Sequence, residues 1–474
     1  MNTRYSKCVC GRGILRWCAA WLPGSVITTV LLGGSEVFAD SAAPTRKPVE
    51  PVAAAELLRP IVDRETPALE KLYQSFHASP ELSLHEKETA HRLAENLKGT
   101  GFEVTTGVGG HGVVAVLKNG PGKTLLIRAD LDALPVREES KAAYASTVTE
   151  KDPQGRTVPV MHACGHDIHM TVLVGTAKAL VATKDRWSGT LVLIGQPAEE
   201  IGHGAAAMLS DGLYTRFPRP DIGLALHVDA ELEAGKVGWV AGFSTANVDS
   251  VDIVVRGVGG HGAQPQSTKD PVVIAAQIVL ALQTIRSREV HPREPVVVTV
   301  GSIQGGTKHN IIPDSVTLQL TIRTYKDDVR AKVLAAVERI SKGIAIAAGV
   351  PKELEPVVTL KDEFTPALYN SPELVQQVKG VFVRTFGEDN VVEREPTMGG
   401  EDFARYGKAE PKIPIFMFRL GSVPPAKMKA AREQGAALPS LHSSKYLPDS
   451  RPTLETGVTA MTAAALDLLK AERK

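Results

Sequence analysis

The run Met161-His162-Ala163-Cys164-Gly165-His166-Asp167-Ile168-His169 places three histidines, a cysteine and an aspartate within nine residues. Imidazole, thiolate and carboxylate are the groups that hold transition-metal ions, and packing does not call for them at such density. The cysteine count sharpens the point. Of four cysteines, Cys8, Cys10 and Cys18 lie in an apparent leader, so a processed chain keeps Cys164 alone. It has no partner for an internal disulfide. Its remaining uses are metal ligand, nucleophile or inert core thiol.

Other polar residues fall directly after apolar runs. Asp130 and Asp132 follow Thr124-Leu125-Leu126-Ile127, Glu199 and Glu200 follow Thr190-Leu191-Val192-Leu193-Ile194, and His227 follows Ile222-Gly223-Leu224-Ala225-Leu226. If the runs are strands of an open α/β sheet, these groups converge on the crevice at the carboxyl ends, where such sheets bind ligands. Two adjacent carboxylates at a strand end are costly unless a cation is near. Amide hydrolysis at neutral pH needs a strong nucleophile and an electrophile. A divalent ion supplies both, by lowering the pKa of bound water and polarising a carbonyl. One carboxylate must then bind metal while another stays free as base, a division that Glu199 and Glu200 suit.

The elements that must position these groups are legible as alternation. Helical spacing runs over 60–98, with Leu69, Leu72, Tyr73 and Phe76 on one face, and a helix is expected over 167–181 between the first two strands. This predicts an α/β fold with a central, mostly parallel sheet. From residue 246 the order changes to strand (251–255), helix (271–286), strands (295–300 and 316–324), helix (327–348) and strand (354–360). That is the βαββαβ order of a ferredoxin-like unit. A helix (372–386) and a strand (413–418) then resume the first pattern. The expected organisation is a catalytic domain in two parts, 60–245 and 362–474, with a ferredoxin-like lid and dimerisation domain inserted at 246–361.

The N-terminus reads as an export signal over 1–39. Arg4, Lys7, Arg12 and Arg16 precede an apolar stretch, and Val37-Phe38-Ala39 suits cleavage. A retained anchor is the competing reading, but the apolar run is short and broken by Pro23 and Gly24. A flexible stretch is expected over 40–59, and an exported, periplasmic or secreted location follows. Lys+Arg 54 against Asp+Glu 53 gives no charged surface for nucleic acid or membrane.

Seven motifs occur in one order: Arg128 to Pro135, Met161 to His169, Gln196-Pro197-Ala198-Glu199-Glu200, Gly259-Gly260-His261-Gly262-Ala263, Asn310-Ile311-Ile312-Pro313, Gly399-Gly400-Glu401-Asp402-Phe403 and Leu441-His442-Ser443-Ser444. With them the chain resembles metallopeptidase family M-20, in the branch of hippurate hydrolases, N-acyl-amino-acid amidohydrolases and indole-acetyl-amino-acid hydrolases. The resemblance implies that Cys164, His166, Glu200, His227 and His442 bind two divalent ions, Cys164 bridging. It implies Glu199 as the base that activates water and later protonates the leaving amine. Asp130, Asp132 and Asp167 would hold the ligands in place. His261 and Asn310, on the insert, would stabilise the oxyanion, the histidine often reaching the other subunit's site. Arg323 is a candidate for the substrate carboxylate. The expected substrate is an N-acyl amino acid or short peptide, cleaved by a homodimer. Thiolate and imidazoles favour zinc; carboxylates and a bridge admit manganese, cobalt or nickel.

Many relatives have Gly where this chain has Ile168 and Ile201, and His at Gln266. Both isoleucines are expected to narrow the site, and a longer polar loop spans 140–160. His162 and His169 are read as structural, His203 as open between crevice and surface, and His77, His85, His91, His111 and His291 as surface residues. Gly257 to Gly262 matches a dinucleotide fingerprint but opens no helix, since Pro265 and Pro271 intervene. No Gly-x-Ser-x-Gly elbow is present. A Cys164 nucleophile with a histidine base leaves Glu199, Glu200 and His442 without a purpose. A dipeptidase or carboxypeptidase with the same site is the near alternative. A periplasmic metal- or amide-binding protein is the further one, but it would need no base.

Overall fold

The computed structural model describes residues 51–470. The expected leader and residues 40–50 lie outside them. Residues 51–59, expected to be flexible, are instead the first turns of a helix spanning Pro51–His77. The helical pattern read over 60–98 is two helices, that one and Lys87–Lys98, separated by an irregular segment.

An eight-stranded sheet runs in the order Glu103–Val108, Gly112–Asn119, Gly189–Gln196, Thr124–Asp130, Ile222–Glu233, Ile415–Val423, Val237–Trp239, Val391–Glu393. Its central neighbours are parallel: the Thr124 strand pairs with the Gly189 and Ile222 strands, and the Ile222 strand with the Ile415 strand. These strands read as continuous apolar runs because both faces are covered. Leu125, Ile127, Leu191, Leu193, Leu224, Leu226, Phe416 and Phe418 enter one core, shared with the helices Pro51–His77, His166–Ala182, Pro372–Phe386 and Ser450–Leu468. Their alternates Leu126, Val192, Ile194, Ala225, Ile415 and Met417 enter another on the opposite face. The strand period of two thus sorts one run of residues into two layers.

The second sheet is antiparallel, ordered Val296–Gln304, Ser315–Thr324, Asn247–Arg256, Val357–Leu360. The first and third strands in chain order are central and the second and fourth are edges, as a ferredoxin-like unit requires. One face is covered by the helices Pro271–Thr284 and Asp327–Ala347, so its strands alternate: Val251, Ile253 and Val255 are buried with Leu318, Leu320 and Ile322, while the residues between are partly exposed. The chain leaves and re-enters the first sheet through two adjacent strands, Gly242–Phe243 and Tyr369–Asn370, which pair with each other. The polar loop over 140–160 folds into a hairpin, Thr149–Lys151 against Thr157–Pro159. Its Val160 packs with Leu82 and Ala133 beside the sheet's carboxyl edge.

Candidate metal centre

The carboxyl ends of the Gly189, Ile222 and Thr124 strands meet two loops, one carrying Cys164 and one carrying His442. The local backbone is specialised at both Glu199–Glu200 and His442. Ala198 (φ +50°) and His442 (φ +66°) sit in the left-handed region that side chains disfavour. The turn at Ala198 is held from three sides. The Ala198 N–H donates to Glu86 Oε1 at 2.7 Å and the Glu200 N–H to Asp132 Oδ2 at 2.9 Å. Gly204 lies so close that a Cβ there would stand 1.5 Å from the Pro197 carbonyl oxygen. The His442 N–H donates to the Ala163 carbonyl at 2.9 Å, tying the two loops together.

Cys164 Sγ lies 3.3 Å from His442 Nε2 and 3.5 Å from His227 Nε2. Glu200 lies 3.7 Å from His166 Nε2 through Oε1 and 3.6 Å from His442 Nε2 through Oε2. The histidine tautomers follow from their other nitrogens. His166 Nδ1 faces the Asp132 carbonyl and His227 Nδ1 the Val228 carbonyl, each at 2.8 Å. A carbonyl only accepts, so both Nδ1 atoms carry a proton and each Nε2 is left facing inward, where a cation could take it. His166 Nε2 and Glu200 Oε1 are buried with no hydrogen-bond partner. Burial, then Glu200, Glu199 and Asp130, push the Cys164 thiol well above its usual range. Burial raises Glu200 to about 7, against the attraction of His166. Buried polar atoms left unsatisfied, with carboxylates crowded together, form a set that a cation completes. The five residues expected as ligands therefore converge, and their chemistry fits divalent ions.

Glu199 stands apart. It groups with Glu401 and Asp402 as well as with His166 and Glu200. Burial, then the Glu401 and Glu200 carboxylates, push it well above the carboxylate range. It opens into a cavity of about 840 Å³ that Cys164, Glu200, His227, His442 and Arg323 also line. Arg323 reaches it from the inserted sheet.

The remaining expectations divide. Asp132 holds both His166 and Glu200. Asp130 accepts from His169 Nδ1 at 2.6 Å and lies 3.6 Å from His166 Nε2. His169 Nε2 is itself occupied by the Val228 N–H, so that ring is a support. Among the described residues the Asp167 side chain makes no hydrogen bond to any of the five. It binds His77 Nδ1 at 2.7 Å, and His77 Nε2 reaches Glu138 at 2.9 Å. His77 is thus a buried bridge, not a surface residue. His261 and Asn310 are exposed on the insert and do not line the cavity. Ile201 lines it, as does His203, whereas Ile168 is fully buried in the main core and cannot narrow the site. The unforeseen participants are buried charges. Arg128 donates to Asp130 at 2.6 Å, Glu401 at 2.8 Å and Gln196 at 3.0 Å; a lone arginine inside Thr124–Asp130 was the signal. Glu86, raised by burial and then Asp132 to about 7, left none.

The family profile described as Peptidase family M20/M25/M40 matches residues 126–435. The chain belongs to this family. It is 36% identical over 400 residues to Thermostable carboxypeptidase 2 of Saccharolobus solfataricus, covering 84% of this chain and 94% of that one. It is 37% identical over 336 residues to Hippurate hydrolase of Campylobacter jejuni, covering 70% and 83%. The Bacillus subtilis YXEP protein, a dinuclear metal binding peptidase from the M20 family, superposes with a TM-score of 0.70 at 27% identity, over 86% of this chain and 99% of that one. As an M20 protein the chain is a metal-dependent hydrolase of amide bonds, with the catalytic and inserted domains described above.

Proposed function

We propose that this M20 hydrolase cleaves the amide of N-acyl amino acids of the hippurate kind. The observation that carries the reading is a separate carboxylate, Glu199, facing the cavity beside five convergent donors. Cys164, His166, Glu200, His227 and His442 would hold two divalent ions, with zinc or manganese favoured and cobalt or nickel admitted. When bound, the ions polarise the scissile carbonyl and acidify water. Glu199 takes a proton from the attacking water and returns it to the amine nitrogen as the C–N bond breaks. A base that must also act as acid is served by a raised pKa. Arg323 pairs with the substrate carboxylate.

The inserted domain serves as lid and dimer interface. Val272, Val273 and Leu280 are exposed on its Pro271–Thr284 helix and Ile303 on its edge strand, and both a bare apolar face and a free edge invite a second copy. His261 and Asn310 then help stabilise the oxyanion, the histidine reaching the other subunit's site. The chain is exported and works outside the cytoplasm.

The likeness to a carboxypeptidase over 84% of the chain favours one second reading, peptide cleavage at the same site. The test is metal analysis of the purified mature protein, with hydrolysis of hippurate, N-acetyl amino acids and dipeptides before and after chelation. About two ions per chain and chelator-sensitive release of amino acid from the acyl substrates are expected. Release from the peptides alone would establish the second reading, and metal without any hydrolysis would return the chain to a binding role.

A further inference from the structure

Arg419 is a cation in the cavity to which neither the motifs nor the mechanism gives a purpose. It lies in the Ile415–Val423 strand, in parallel register with His227. It lines the same cavity as Cys164, Glu199 and Arg323. Its strand neighbours are apolar, Ile415-Phe416-Met417-Phe418 before it and Leu420 after it, so a guanidinium here is a chemical exception. The two carboxylates whose fields act on it are Asp229 and Glu401. Both are engaged elsewhere: Asp229 accepts from Arg394 Nε at 2.9 Å, and Glu401 from Arg128 Nη2 at 2.8 Å. Among the described residues Arg419 makes no side-chain hydrogen bond and no ion pair within 4.0 Å. Arg419 is half-buried, and a guanidinium that faces the cavity with five donors and no protein acceptor is a site that an anion would complete. Arg323 reaches the cavity from the other sheet, so guanidinium groups face it from both domains.

We propose that Arg419 binds a second anionic group of the substrate, so that the preferred N-acyl amino acid carries two carboxylates, one held by Arg323 and one by Arg419. The second carboxylate belongs either to the acyl group or to the amino-acid side chain; the chemistry recognised is the same. This rests on the amidohydrolase reading above. Arg419 then sets specificity without taking part in bond breaking. A neutral substrate leaves its guanidinium unpaired, which is how a buried polar site rejects an analogue lacking the matching group.

The experiment uses the metal-loaded mature enzyme and matched pairs. N-acetyl-L-glutamate against N-acetyl-L-glutamine tests the amino-acid side. N-succinyl-L-alanine against N-butyryl-L-alanine tests the acyl side. The ratio of kcat/KM within one pair should exceed tenfold in favour of the dianion. Arg419→Met should lower that ratio at least tenfold, and Arg419→Lys should retain part of it. In parallel, calorimetric titration with glutarate and with its monoamide needs no turnover. Glutarate should bind more tightly, with the difference lost in Arg419→Met. Near-unit ratios in both pairs together with equal binding of glutarate and its monoamide would overturn the proposal. So would an Arg419→Met enzyme that slows all substrates alike with the ratio intact, which marks a structural role. Glutarate discrimination that depends on Arg419, with no hydrolysis of any acyl substrate, would uphold the anion site and reject the amidohydrolase reading.

Discussion

Glu199 and Glu200 are sequence neighbours with unlike surroundings. Glu200 Oε1 and Oε2 face His166 and His442, while Glu199 faces Glu401 and Asp402. Repulsion from other carboxylates suits a group that must take up a proton; convergence with imidazoles suits a ligand. Glu199→Gln should therefore keep its metal, by elemental analysis, and lose about 10²–10⁴-fold in kcat. Undiminished turnover would remove it as base. Cys164→Ser should reduce metal content together with activity, and full occupancy would remove it as a ligand. A third prediction concerns the His77 bridge. Burial opposes its charge, but the Asp167 and Glu138 hydrogen bonds prevail and raise it to about 9. A raised folded-state pKa gives stability that is fully present below the unfolded value, about 6.5, and is lost as pH rises through about 9. The difference in unfolding free energy between wild type and His77→Gln, at most about 3 kcal/mol by the size of the shift, should be greatest near pH 6 and shrink by pH 10. A difference flat across that range would show that the ring is neutral in the fold.

At the scale of elements, the acidic turn depends on close backbone approach. Gly204, first residue of a short helix, leaves no room for a side chain against Pro197. Gly204→Ala must push the turn aside, and with it Glu199 and Glu200. Metal affinity and kcat should both fall by tenfold or more while the inserted domain's core is untouched; wild-type values for both would show that the turn relaxes freely. The elements themselves were largely readable. Strands buried on both faces appear as unbroken apolar runs, and the insert's half-covered strands as alternation, so the change from one architecture to the other is written in the pattern. Boundaries were less legible. The segment between Lys87–Lys98 and the preceding helix ends with Glu86 turned inward to hold Ala198, a contact 112 residues long in sequence that no local period encodes.

At the scale of the molecule, ions bound only by the folded chain stabilise it by mass action. A free concentration one hundred times the dissociation constant is worth about 2.7 kcal/mol per site. Chelation should lower the melting temperature by several degrees as well as abolish hydrolysis, and divalent ion should restore both. An unchanged melting curve after verified metal removal would place the ions outside the folded core.

The chain by itself determined its layered α/β plan with a ferredoxin-like insert, because strand and helix periods are local properties of a sequence, and its resemblance to the M20 family singled out the five residues that the fold then brings together. It misjudged His77 and Ile168 and was silent on Arg419 and Glu86. Whether a given side chain meets a carboxylate, a core or a cavity is decided by strands and loops that lie far apart in sequence. Arg128 and Arg419 are both single arginines in apolar strands. Only the tertiary structure closes Gln196, Glu401 and Asp402 as well as Asp130 around the first and leaves the second facing the cavity, because each strand's neighbours are chosen by sheet order and not by sequence.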